Sequence, residues 1–283
     1  MLRNRRFHVT VLGAAVGVVL ASGLPTLASA APGHRPAPKP TVVLVHGAWS
    51  DSASWSGVVK RLQAKGYPVT AVPTPLRGLS DDSAYLASYL KTVQGPVILV
   101  GQSYGGSVIT DAATGNTNVK ALVYISAFAP DKGESAADLA AKFPGSHITD
   151  DPDAPLPTAL NAVPLTLADG TAGGVDLYVK PGQYRDLFFG DHLGAARAAE
   201  LAATQRPITL QALGEASGTP AWRTIPSWYL VSKDDHLIPP AAERFMAARA
   251  HSHTVEARTP HAAQVTDPGV VTDLIESAAD GTR

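Results

Sequence analysis

Short β-branched apolar runs recur along this chain with amphipathic segments between them, and that alternation restricts the fold more than any other feature. Thr41–Val45 (TVVLV), residues 96–100 (PVILV), 120–125 (KALVYI) and 227–231 (SWYLV) are almost wholly apolar. Strands of that kind are buried on both faces, as in parallel sheets covered by helices. Between them lie segments of helical period. Residues 54–65 carry Trp55, Val58, Val59 and Leu62 on one face and stop at Gly66. Residues 68–72 form a further strand, and Ser80, followed by Asp81 and Asp82, is placed to cap a helix carrying Tyr85, Leu86, Tyr89 and Leu90. Beyond Ala127 the rhythm breaks. Residues 127–222 hold several prolines, the run Asp150-Asp151-Pro152-Asp153 and short helical stretches, without a convincing buried strand. The alternation then resumes with a helix over 240–250, a strand near 254–257 and a last helix with Asp267 as N-cap and Pro268 as its first residue. The pattern predicts an α/β fold, a mainly parallel sheet with helices on both faces, interrupted by an insertion that reads as a lid or cap rather than a separate domain.

The amino terminus reads as an address. Arg3, Arg5 and Arg6 precede an apolar run from Val9 to about Leu20, and Ala28-Ser29-Ala30 fits the small-x-small cleavage pattern. Residues 1–30 are therefore expected to be a secretory signal peptide cleaved after Ala30, since the run is shorter than the roughly 20 residues of a spanning helix. Arg5-Arg6 leaves the choice between the general and twin-arginine routes open. Residues 31–40, rich in Ala and Pro, read as a linker, and residues 41–283 as the folded domain. No stable membrane insertion is expected once the signal is gone. Apolar residues make up 45% of the chain, enough for a large core, and there is no cysteine, which excludes disulfides, thiolate metal sites and a cysteine nucleophile. Lys and Arg number 23 against 24 acids. Removing the three signal arginines leaves an acidic excess of about four, unlike a nucleic-acid binder working through a basic surface.

Gly101-Gln102-Ser103-Tyr104-Gly105 matches G-x-S-x-G, directly after the strand PVILV and before a segment bearing Val108, Ile109 and Ala112. Strand, sharp turn and helix are the context in which this pattern presents a nucleophilic serine. The alternative is a capping serine in a glycine-rich turn. A serine needs a base, and of nine histidines His261 lies between the last strand and the last helix, at the sheet edge that carries Ser103. The base needs an acid, and Asp234 and Asp235 both follow the strand SWYLV at that edge. Two backbone donors must hold the oxyanion: Tyr104, next to the serine, and Ala48, in the loop His46-Gly47-Ala48-Trp49. Trp49 is placed as pocket wall or packing. Tyr184, Phe188, Phe189 and Trp222 fit either an acyl pocket or ordinary cap packing.

With LVHGAW, GQSYGG, LVSKDDHLIPP followed by ERFMAARA, and the late histidine loop, the chain resembles the α/β-hydrolase superfamily. More narrowly, it is similar to the small serine esterases grouped with plant methylesterases and hydroxynitrile lyases, over roughly residues 41–275. The resemblance implies the α/β-hydrolase fold with a mostly helical cap over the site. It also implies that the acid is Asp235, four residues before the proline of Ile-Pro, rather than Asp234. The group's lyases carry threonine where this chain has Gly47 and lysine where it has Ala262. Hydrolysis of a small-molecule ester is thereby favoured over the alternatives: lyase, cofactor-free perhydrolase or non-catalytic binding protein. No cofactor and no metal is implied. There is no H-E-x-x-H, and Asp234-Asp235-His236 is better explained by the triad acid.

Overall fold

The computed structural model describes residues 38–282 of the chain. The segment read as a signal peptide and most of the linker lie outside the described residues. Among the described residues the first elements are β1 (Thr41–Val45), α1 (Ser56–Ala64), β2 (Val69–Val72), α2 (Leu79–Leu90), β3 (Val97–Ser103), α3 (Tyr104–Ala112) and β4 (Val119–Ala127). Next come α4 (Ala136–Ala141), β5 (Leu160–Thr166), β6 (Ala172–Val179), α5 (Pro181–Phe189), α6 (Ala195–Ala203), β7 (Ile208–Thr209) and α7 (Leu210–Gly214). The chain closes with β8 (Ser227–Ser232), α8 (Pro240–Arg249), β9 (His253–Ala257), α9 (Ala263–Thr266) and α10 (Pro268–Gly281).

Six strands form one parallel sheet in the order β2-β1-β3-β4-β8-β9. The all-apolar central strands are buried on both faces, as the sequence requires: Val97 to Val100 and Leu122 to Ile125 are inaccessible to solvent. Alternate residues feed two cores. Val42, Leu44, Ile98 and Val100 pack under α1 and α10, against Trp55, Leu62, Val271 and Ile275. Val43, Val45, Leu99 and Leu122 face the other way, towards Leu86, Val108 and Met246 of α2, α3 and α8. Burying such a side chain contributes about 1.5–3 kcal/mol. The order reverses between β1 and β3, because the chain leaves β1 towards β2 and returns on the opposite side. At such a switch point the loops leaving the two carboxyl ends splay apart and open a crevice. Here those loops carry Ala48 and Ser103.

Two local expectations are corrected. Ser80 does not cap α2, which begins at Leu79 with Gly78 in the cap position. Asp82, in the first turn, is buried and accepts from the Arg77 amide and the Tyr104 hydroxyl. The segment between β4 and β8 contains more than helices. Among the described residues it includes a three-stranded antiparallel sheet, β5-β6-β7, beside α4 to α7. Pro164 lies in β5, an edge strand, the place in a sheet where proline is tolerated, and β5 is exposed at most positions. No helix among the described residues is long and apolar enough to cross a membrane.

Candidate active site

Ser103 ends β3 and precedes α3 with φ +53° and ψ −126°, a conformation costing about 1–3 kcal/mol for a residue with a side chain. Its hydroxyl makes no capping bond to the helix it opens, unlike a capping serine. The turn is possible because three glycines admit backbone where a Cβ would collide. A Cβ on Gly101 would lie 2.5 Å from the Gly105 carbonyl oxygen, and one on Gly105 2.6 Å from that of Val45. On Gly106 the nearest atom, the Phe128 carbonyl oxygen, would be closer still.

The loop after β1 approaches Ser103 as tightly. A Cβ on Gly47 would stand 2.6 Å from the Ser103 Cβ and 2.8 Å from Gln102 Oε1. A larger residue there, such as threonine, has no room in this backbone. The loop is pinned by His46, whose Nδ1–H donates to the Gly47 carbonyl at 2.9 Å while Nε2 accepts from the Thr74 amide at 3.0 Å. Burial pushes the His46 imidazole down to about 4, so it is a neutral strut at physiological pH. Ala48 and Tyr104 are thereby brought to the cavity that Ser103 lines. Tyr104 is the first residue of α3, where helix amides have no intrahelical acceptor. Its side chain turns into the core and donates to Asp82 at 2.9 Å.

Asp235 and His261 meet although they come from loops after different strands. His261 Nδ1–H donates to Asp235 Oδ2 at 2.6 Å, and both side chains are fully buried. The other carboxylate oxygen, Oδ1, accepts from the amides of Leu237 and Ile238 at 2.7 and 2.8 Å. These bonds fix the rotation of the carboxylate and, through it, the imidazole. His261 Nε2 has no hydrogen-bond partner. Gln102 Nε2 donates to the His261 carbonyl at 3.2 Å, so the residue before Ser103 holds the histidine loop to the elbow. Asp234 points elsewhere and accepts from His192 Nε2 at 3.1 Å.

Several supporting residues were not singled out from the sequence. Besides Gln102, Glu243 of α8 is fully buried, and its Oε2 accepts from the Ser232 amide at 2.7 Å. Burial and the neighbouring Asp235 charge push its carboxyl well above the usual range, which favours the protonated form. A sign of this was present: Glu243 shares the buried stripe of Ala242, Met246 and Ala247. Replacing Glu243 with Gln should therefore raise the melting temperature at pH 8. The advantage should vanish near pH 4, because the raised folded pKa costs stability only above the unfolded value of about 4.3. Thermal denaturation of both proteins between pH 4 and 8 checks the sign, and a Gln variant less stable at pH 8 contradicts it.

Tyr184, Phe188, Phe189 and Trp222 do not line the cavity, whereas Phe128 and Phe143 of the same insertion do. Phe188 sets its ring edge against His261 at 5.4 Å between centroids and stacks on Tyr184 at 4.4 Å. Its carbonyl accepts from the Ala262 amide, and Trp222 lies in a different, surface groove. Trp49 is wall and packing at once: it lines the cavity, and its Nε1 donates to the Leu177 carbonyl of β6. The cavity beside Ser103 measures about 490 Å³, within the range of small-ligand sites, and its described lining carries no charged side chain.

The description "Alpha/beta hydrolase family" fits residues 42–274. A carbendazim hydrolyzing esterase from Nocardioides sp. is 34% identical over 113 residues, covering 35% of this chain and only 47% of that protein. A pyrethroid hydrolase from Sphingobium wenxiniae is 28% identical over 219 residues, covering 72% of this chain and 74% of that one. In structure, polyneuridine aldehyde esterase superposes with a TM-score of 0.70 at 19% identity, over 86% of this chain and all of that one. Parallel sheet, strained elbow serine and a family match over most of the chain agree, and the protein belongs to the alpha/beta hydrolase family.

Proposed function

We propose that the protein is an exported serine carboxylesterase acting on uncharged, apolar small-molecule esters. The observation that carries the reading is the buried Asp235–His261 bond, with Nε2 unpartnered among the described residues, tied through Gln102 to the turn where Ser103 lines an uncharged cavity with Ala48. In the reaction Ser103 Oγ attacks the ester carbonyl and His261 Nε2 takes its proton. Asp235 steadies the imidazolium, and the amides of Ala48 and Tyr104 hold the oxyanion. The proton passes to the departing alkoxide, which leaves as alcohol. Water, deprotonated by the same histidine, then releases the acid and restores Ser103. The esterase and hydrolase names of the two sequence relatives support this class of chemistry. The amino-terminal arginines, apolar run and Ala28-Ser29-Ala30 support export. Cyanohydrin cleavage loses support at Gly47, where threonine would meet the Ser103 Cβ, and at the uncharged, buried Ala262.

A fluorophosphonate probe should label the protein lacking residues 1–30 once, at Ser103 by peptide mapping. Nitrophenyl butanoate and hexanoate should be turned over at least tenfold faster than a half-ester of similar size bearing a free carboxylate, since an unpaired charge is costly to bury. Absence of both labelling and turnover sinks the esterase reading; preference for the charged ester sinks the specificity.

A further inference from the structure

Outside the lining of the cavity but next to it, since Ser146, Ile148 and Leu237 line the cavity, three side chains from separate parts of the chain converge. His147 lies between α4 and β5, Asp186 on α5, and His236 in the loop after β8, next to Asp235. One potential ligand atom from each lies within 4.8 Å of the others. His147 Nδ1 is 2.7 Å from Asp186 Oδ2, and His236 Nδ1 is 3.0 Å from Oδ1 of the same carboxylate. The two imidazoles face each other with centroids 4.1 Å apart. Their segments are fixed by the backbone. The His147 amide donates to the His236 carbonyl at 2.7 Å, and Ser146 Oγ to that of Leu237 at 2.8 Å. The arrangement is therefore set by both chain segments, while the side chains of His147 and Asp186 remain half exposed, at 48% and 46%.

We propose that His147, Asp186 and His236 form a binding site for a divalent transition metal of the zinc class, joining the inserted segment to the loop of the triad acid. Two imidazole nitrogens and one carboxylate oxygen are a donor set that zinc takes, with water in the remaining position. Tetrahedral coordination at bond lengths near 2.0–2.1 Å separates donors by about 3.3 Å, slightly more than the present hydrogen-bonded spacings. The exposed His147 and Asp186 side chains can open by that amount without moving the backbone. On binding, the ion replaces the protons on the two ligating nitrogens, which leave to solvent or move to the other ring nitrogen. Burial works to raise the Asp186 pKa, yet the hydrogen bonds from the two histidines prevail and hold it below the usual carboxylate range, so the oxygen donor is ionised. The ion acts as a clamp between two parts of the fold and takes no part in ester cleavage, so binding itself does not rest on the esterase reading.

Tag-free protein lacking residues 1–30 should bind one equivalent of Zn²⁺ in calorimetry. Its melting temperature should rise by about 5 °C at a hundredfold excess over Kd. Co²⁺ in place of zinc should give visible d–d bands. His147→Ala and Asp186→Asn, neither of them in the proposed catalytic machinery, should each lose the bands and weaken binding at least tenfold. Two variants guard against a folding defect in either, and circular dichroism without metal shows which are intact. No stoichiometric binding by the parent protein overturns the proposal. Equal binding by parent and intact variants does so too, since the ion then sits elsewhere. Metal binding without any esterase activity would leave the site standing and sink only the proposed function.

Discussion

Replacing Ser103 with alanine is expected to lower ester hydrolysis at least about a thousand-fold while leaving the fold unchanged. The loss follows from the chemistry, because alanine offers no hydroxyl at the strained turn where the Ala48 and Tyr104 loops converge. What survives is what a pocket and oxyanion donors provide without a nucleophile. Stability should barely move, since Ser103 Oγ caps nothing and alanine at φ +53° is as strained as serine. Steady-state kinetics with nitrophenyl butanoate, alongside thermal denaturation, separates the two effects. Retained activity in a protein free of parent enzyme would show that Ser103 is not the nucleophile.

Asp235→Asn should also cost heavily, about ten-thousand-fold in kcat, the loss seen for the same change in Ser-His-Asp proteases. Here the reason can be traced atom by atom. Oδ1 accepts from two amides, so the asparagine carbonyl oxygen must occupy that position and its NH₂ must face His261. An NH₂ donates, which forces His261 Nδ1 to accept and moves the ring proton to Nε2. The imidazole then aims a proton at the serine instead of a lone pair. The side chain keeps its volume and its two amide partners, so loss of activity should come without gross unfolding. Glu243→Gln, a change of the same kind beside it, is the control and should leave kcat within a few fold. Comparable losses in both variants would point to general disruption of the buried acid pair.

The sheet was legible in the sequence because its central strands are apolar at nearly every position, a pattern that burial on both faces requires. The turn at Ser103 was legible because steric need leaves a mark: Gly101, Gly105 and Gly106 stand where any Cβ would strike backbone. His261 could be placed by topology alone, at the carboxyl edge. Choosing between Asp234 and Asp235 could not be done that way, since neighbours in a loop point in different directions. The family resemblance named Asp235, and in the structure that residue meets His261 while Asp234 turns to His192. The β5-β6-β7 sheet went unread because β5 carries Pro164 and lies mostly in solvent, so neither period nor composition marks it as a strand. Glu243 left one sign, its place on the buried stripe of α8, while Gln102 is marked only by its hydrogen bond to the histidine loop.

The uncharged lining of the cavity beside Ser103 also bears on how substrate arrives. With no fixed charge in the lining there is no local field to draw an ester inward, and dissolved salt has little to screen. Transfer is governed by what the ester leaves behind in water. Each added methylene is worth about 0.8 kcal/mol, or roughly fourfold in occupancy, until the chain outgrows the space. Selection then acts as a partition coefficient with a length limit, and salt reaches it through the solubility of the ester in water rather than through screening of charge.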